Sequence, residues 1–249
     1  KYELGVTLHN CRRFQDAIAQ YNQVIDLQPG NMWACILKSW ALFNELSETR
    51  EARAVLDAGR ACNGRWPELT WLESYYDLCD RDYDHALSLL SGFGDVLSPE
   101  HPDSSDYYTM KGLTYRLKGQ PQVAQVYLDS AQMRLESMLT IAPKSAPLLS
   151  SPAVVNALLG RPDSAVSMAR QAVQLIPVSD DALDGPRYVR ALAFVYALVG
   201  QQDQAIELLD YLLAIPCNVS ANALKLVPET TPLRGNPRFR ALLEKYGRG

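Results

Sequence analysis

The 249-residue sequence predicts an all-α fold, a solenoid of about six helix pairs with a C-terminal helical cap. Three observations carry this. Small and large apolar residues recur in one order along the chain, with anchor alanines at positions 17, 52, 86, 124, 165 and 205. Glycines and prolines fall between those anchors at the places where helices stop and restart. No run of four or more residues shows the two-residue alternation of a strand. Self-similarity at this period marks a stacked repeat, and at ~34 residues per helix pair the chain has room for roughly seven pairs.

The first unit shows the pattern most plainly, through Leu4-Gly5, Leu8, Phe14, Ala17, Tyr21 and Pro29. Gly5 and Ala17 are small where two helices cross closely, Leu4, Leu8 and Tyr21 fill the space around the crossing, and Pro29 stops the second helix. The second unit, residues 31–62, is degenerate. It keeps Ala52 and Leu56 but places Ser39 where a small residue is wanted. Tyr83, Ala86 and Leu90 mark a third unit behind a helix around Trp71 to Cys79. Tyr108, Gly112, Tyr115, Gly119, Ala124, Leu128 and Ala131 mark the fourth, whose long second helix ends at Pro143. The fifth carries Gly160, Ala165, Ala169, Ala172 and Pro177, and the sixth Leu192, Ala193, Tyr196, Gly200, Ala205, Leu209, Leu212 and Pro216.

Turns are expected near residues 11–13, 29–31, 46–48, 63–67, 80–82, 92–104, 118–120, 142–150, 159–161, 177–185 and 200–202. Arg12-Arg13, Arg81-Asp82, Lys118-Gly119, Leu159-Gly160 and Val199-Gly200 precede a second helix, and glycine suits the positive backbone angle there. An interior Pro152 is expected to shorten or kink the fifth unit's first helix, with Ser150 or Ser151 as its N-cap. Residues 1–216 form the array and residues 217–249 a cap of the same domain. In the cap, Asn236 and Pro237 start a helix whose Phe239, Leu242, Leu243 and Tyr246 return to the last repeat.

The net charge of −4 and the mean hydropathy of −0.15 give no sign of a polyanion binder. The longest apolar run, residues 191–199, is far short of the ~18 residues of a membrane span. The five cysteines, 11, 35, 62, 79 and 217, are an odd set without two-residue spacing. They read as small buried apolar residues rather than a zinc or disulfide framework. Position 1 is lysine, so the chain is expected to be part of a longer one.

Motifs of chemistry are absent. Asp80, Asp82, Asp84 and His85 suggest a calcium loop, but such a loop needs glycine sixth and glutamate twelfth, where His85 and Ser91 stand. His9, His85 and His101 fit no zinc or triad pattern, and there is no phosphate loop, dinucleotide fingerprint or nucleophile elbow. Arg234, Arg238, Arg240, Lys245 and Arg248 make the C-terminus basic, yet lack the interleaved aromatic platform of a nucleic-acid surface. No enzyme, cofactor, metal or nucleic-acid partner is expected.

Units one to six resemble the tetratricopeptide repeat (TPR) family, on the residues quoted above over positions 1–216. The resemblance implies a right-handed superhelix whose first helices line a concave, protein-binding face. Residues 175–182, 184–186, 211–216 and 231–239 further resemble the C-terminal repeat region of large bacterial regulators. In those, a serine/threonine kinase, nucleotide cyclase or winged-helix effector precedes the repeats, often through a membrane helix. The implied function is a non-catalytic docking or sensor module of a bacterial signalling or transcription regulator. It would be cytoplasmic, or on the extracytoplasmic side of a membrane-anchored regulator. Carrying the register through gives a groove of Tyr2, His9, Asn10, Trp33, Trp40, Phe43, Asn44, Trp71 and Tyr75, becoming basic at Arg116, Arg187 and Arg190. Asn10 and Asn44 are expected to hydrogen-bond a peptide backbone while the rings hold its side chains. Two alternatives stay open: the tryptophans belong to the inter-repeat core, or the groove closes around a small ligand.

Overall fold

The structure is a computed structural model and describes residues 1–64, 66–92 and 104–247. The expected turn at 92–104, His101 and Arg248 fall wholly or mostly outside these. Among the described residues every regular element is helical. Six antiparallel hairpins pair α1 (Tyr2–Asn10) with α2 (Phe14–Leu27), α3 (Met32–Leu46) with α4 (Arg50–Asn63), and α5 (Pro67–Asp80) with α6 (Tyr83–Ser91). They continue as α7 (Ser104–Leu117) with α8 (Pro121–Ile141), α9 (Ala146–Leu158) with α10 (Pro162–Leu175), and α11 (Gly185–Leu198) with α12 (Gln202–Ala214). A short α13 (Ala221–Leu224), a 3-10 helix (Pro228–Leu233) and α14 (Pro237–Tyr246) complete the chain.

Each hairpin closes on a pair of small residues. The anchor alanines 17, 52, 86, 124, 165 and 205 are at most 2% exposed. A Cβ placed on Gly5 would lie 2.6 Å from the Tyr21 ring, and one on Gly112 would lie 2.6 Å from Leu128. In the second hairpin Ser39 fills the corresponding place, and its hydroxyl donates to the Ala52 carbonyl (2.9 Å) beside the Tyr76 hydroxyl (2.8 Å). A serine is thus accepted because both of its polar needs are met inside the crossing. The first helix of every hairpin ends in a left-handed residue, which is Arg12, Ser47, Arg81, Gly119, Gly160 or Gly200. In five of the six the chain then bonds back five residues, as from Gln120 N–H to the Tyr115 carbonyl (2.9 Å).

Two expectations are corrected. Helix α9 begins at Ala146, so the turn is 142–145 rather than 142–150, and Pro152 lies within the helix. Ser145, not Ser150 or Ser151, is the N-cap, accepting from Leu148 N–H. A serine cap followed by Pro147 in the first turn is a strong start, and Pro152 and Ala153 are held by burial. Of the five free thiols, Cys35, Cys79 and Cys217 are buried but Cys11 and Cys62 are exposed. Cys11 follows the end of α1 and Cys62 lies in the last turn of α4, where little packs over the chain.

First helices touch one another at α1/α3, α5/α7 and α9/α11 and so form the inner wall, with the second helices outside. After α12 the chain turns inward. Helix α13 packs on α3, the 3-10 helix on α11, and α14 on α12. Asn236 caps α14 through Arg238 N–H, and Phe239 is fully buried.

Two consequences concern stability. Gly112→Ala should destabilise by about 1–3 kcal/mol, because Leu128 is inaccessible and has nowhere to move. A double-mutant cycle with Leu128→Ala in urea should recover part of that loss. Arg81→Gly should stabilise by roughly 0.5–1 kcal/mol, because Arg81 holds a φ of 64° that disfavours a side chain. Its thermal midpoint should rise by roughly 2 °C.

Candidate functional site

Residues 215–236 of the same chain lie against α3 and α5 and are held from Arg12, which follows α1. The Ser220 hydroxyl lies 2.9 Å from both the backbone and the side-chain oxygen of Asn44, and it accepts Ala223 N–H (3.0 Å). Asn222 donates to the Glu45 carbonyl (2.8 Å), and the Tyr75 hydroxyl donates to the Glu229 carboxylate (3.0 Å). From the other side Arg12 donates to the carbonyls of Leu213 (2.6 Å) and Ile215. Cys217, Val219, Ala221, Leu224, Val227 and Leu233 carry the apolar side of the contact and are buried. This strap joins the last hairpin to the first through Arg12.

Around it the aromatic residues form a rank. Tyr75 stacks face to face on Trp71, with centroids 5.5 Å apart and 5° between planes, and Trp40 meets Tyr75 at 5.7 Å. Trp40 and Trp71 are half-buried, so neither ring is wholly in the core nor freely presented. Phe43, Asn44, Tyr75 and His9 are buried and therefore withdrawn from any incoming partner in this conformation. Trp33 is half exposed in the first turn of α3, and Tyr2 packs beside Tyr21. Asn10 donates to its own helix at Val6 (3.0 Å) and Asn44 to Trp40 (2.9 Å). Arg116 is exposed and donates to the Leu158 carbonyl, while Arg187 is exposed without a hydrogen bond or ion pair among the described residues.

The acidic residues around His85 and the basic C-terminus make internal contacts. Asp82 caps α6, Asp80 holds Thr49 (2.6 Å) and Arg53 (2.9 Å), and Asp84 pairs with Lys118. His85 bonds the buried Asp77 (2.9 Å). No group of three metal-ligating side chains occurs among the described residues. In the basic C-terminus Arg234 donates to Leu226 and Val227, Arg238 pairs with Asp203, and Lys245 pairs with Asp210.

Electrostatics concentrate where the strap meets α1, α5 and α11. Burial, then Arg190, pushes the His9 ring down to about 4. Burial, with Tyr75 and Glu229 acting the other way, holds Arg190 below the usual guanidinium range. Glu229 is raised by burial despite the Tyr75 hydrogen bond and Arg190. Sequence reasoning named His9, Tyr75 and Arg190 but missed Ser220, Asn222 and Glu229. The available signal was an acidic residue inside the otherwise uncharged segment 226–233.

His9 sets a pH dependence. Its folded value lies below the unfolded one, so the folded state binds fewer protons and loses stability as pH falls from about 6.5 toward 4. The full shift corresponds to ~3 kcal/mol. Urea denaturation of His9→Gln between pH 7 and 4 should show a correspondingly shallower loss than the parent chain.

Residues 1–31 match the family model for the tetratricopeptide repeat. Among curated proteins, none matches the chain. Solved structures that resemble it include PilW, a widely conserved type IV pilus biogenesis factor, at 14% identity and TM-score 0.48 over 97% of this chain and 96% of that one. A thermophilic TPR protein of Thermus thermophilus aligns at 20% identity and TM-score 0.43 over 93% and 99%. YrrB, described as a TPR protein with an unusual peptide-binding site, aligns at 14% and 0.37 over 90% and 97%. The tetratricopeptide match thus covers the first hairpin, and the buried anchor alanine of that hairpin has counterparts in the five that follow.

Proposed function

We propose that the chain is a non-catalytic interaction module that binds a peptide or protein segment on its concave face. One observation carries this above the others. That face already holds a polypeptide, its own strap, through side chains that bond backbone and side-chain groups at Asn44, Glu45 and Tyr75. The half-buried Trp71 ring and the exposed Arg187 suit an acidic segment. A second reading, a sensor for a small ligand, is favoured by the closure itself, since Arg12 ties the last hairpin to the first. A setting as the sensor or docking part of a bacterial regulator, joined to an upstream effector, rests on the resemblance of the C-terminal residues alone.

The test is fluorescence anisotropy of a labelled peptide library on the full chain. Peptides that bind should be weakened about tenfold by Arg187→Glu or Trp71→Phe, a loss of ~1.4 kcal/mol. If neither substitution changes the binding of any selected peptide, the concave face is not the site. Absence of any peptide binder, with a small ligand shifting the melting curve, would replace this reading by the second.

A further inference from the structure

A cleft of about 330 Å³ lies between the first two hairpins, lined from the end of α2, from α3 and from α4. It exists because α4 turns Ala54, Ala58 and Gly59 toward it, and side chains this small leave the space unfilled. Two free thiols share the cleft, Cys35 from α3 and Cys62 from the last turn of α4, and Lys38 lines it as well. Cys35 is buried and Cys62 is exposed. The cleft thus opens one thiol to solvent and keeps the other on its inner side.

Gly59 fixes the spacing of the pair. A Cβ placed there would lie 3.3 Å from both the Cβ and the Sγ of Cys35, so Cys35 packs directly on the bare turn of α4. Cys62 stands three residues further along the same helix, and residues so spaced have Cβ atoms about 5–6 Å apart. A disulfide needs its two Cβ atoms about 3.5–4.5 Å apart. The difference is met by drawing the last turn of α4 toward α3, and that turn is exposed and ends at Gly64 with a φ of 76°. Burial pushes the Cys35 thiol up, with Lys38 acting the other way, so the exposed Cys62 reacts first and Cys35 second.

We infer that Cys35 and Cys62 are a redox-active pair that closes to a disulfide by exchange with a small-molecule disulfide. The Cys62 thiolate attacks one sulfur of the reagent, forms a mixed disulfide and expels the other half as a thiolate, which takes up the proton that Cys62 lost. The Cys35 thiolate then attacks the Cys62 sulfur, forms the internal bond and expels the second half, which takes up the Cys35 proton. Two thiols of the chain are oxidised, and one reagent disulfide is reduced to two thiols. The bond ties the end of α4 to α3, whose far end holds the strap at Asn44 and Glu45. Oxidation therefore braces the hairpin that carries the strap, whatever the concave face binds.

The full chain is equilibrated with glutathione disulfide on the order of 1 mM, quenched in acid, alkylated, cut with trypsin and read by mass spectrometry. The tryptic peptides 14–38 and 61–65, joined through Cys35 and Cys62, should exceed the Cys62–glutathione adduct at least about tenfold. The chain should stay monomeric, and dithiothreitol should reverse the bond. Cys11, exposed and not part of the cleft lining, is the internal control and should carry glutathione alone. Cys62→Ser, at an exposed position, should remove the link and leave Cys35 unmodified, while Cys35→Ala should leave glutathione on Cys62. A second measurement needs no oxidant. Phenylarsine oxide condenses with two neighbouring thiols and releases water, and it should bridge the pair in the parent chain but not in Cys62→Ser. The inference is overturned if Cys62 of the parent chain keeps its glutathione, stays a free thiol or links to a second chain. Arsenical binding that Cys62→Ser leaves unchanged overturns it as well.

Discussion

The close crossing of two helices at a pair of small residues is the constraint on which the rest of the molecule depends. Where Ala124 meets Gly112 and Ala52 meets Ser39 on the facing helix, the backbones come within the reach of a single small side chain, and all six anchor alanines are buried. That distance sets how each hairpin presents its next face, and a stacked array is stable only through such neighbour contacts. The bulky residues beside the crossing, Tyr21, Leu56, Leu90, Leu128 and Leu209, are at most 1% exposed because the small pair leaves no slack around them. Register therefore propagates from one hairpin to the next, and it is register that turns the aromatic and basic residues of the first helices inward.

Curvature of that kind leaves a groove, and the strap decides what the groove becomes. Val219, Leu224, Val227 and Leu233 are buried against the inner wall, and burial of each such side chain is worth about 1.5–3 kcal/mol. The hydrogen bonds of Ser220, Asn222 and Glu229 add direction and register, at a typical net ~1 kcal/mol each. The apolar term dominates, so residues 215–236 are a fixed wall of the site.

Buried charge is compensated where it is most concentrated. Between the second and third hairpins, Glu73 pairs with Arg60, and Asp77 lies 2.9 Å from both Arg53 and His85. Each of these carboxylates is desolvated and each is compensated. The buried polar atoms left without a hydrogen-bond partner among the described residues include the His9 Nδ1, the Tyr21 hydroxyl and the Arg234 Nε, which lie on separate elements.

The helices and their order were legible in the sequence, because the crossing imposes residue size at fixed spacing and needs no knowledge of distant parts. Gly119, Gly160 and Gly200 announced their turns, and Asn236-Pro237 announced α14. Pro152 misled because a local rule about proline was outweighed by the cap at Ser145 and by burial of the surrounding residues. The state of the first-helix aromatics was not legible. Phe43, Asn44 and Tyr75 are covered while Trp40 and Trp71 stay partly open, and this depends on a strap more than 140 residues away in the chain. Periodicity records which face of a helix is turned inward, since that is a property of neighbouring turns. Whether the inward face meets solvent, a partner or the chain's own end depends on long-range closure through Arg12, Ser220 and Glu229, whose hydrogen bonds carry no local sequence signature.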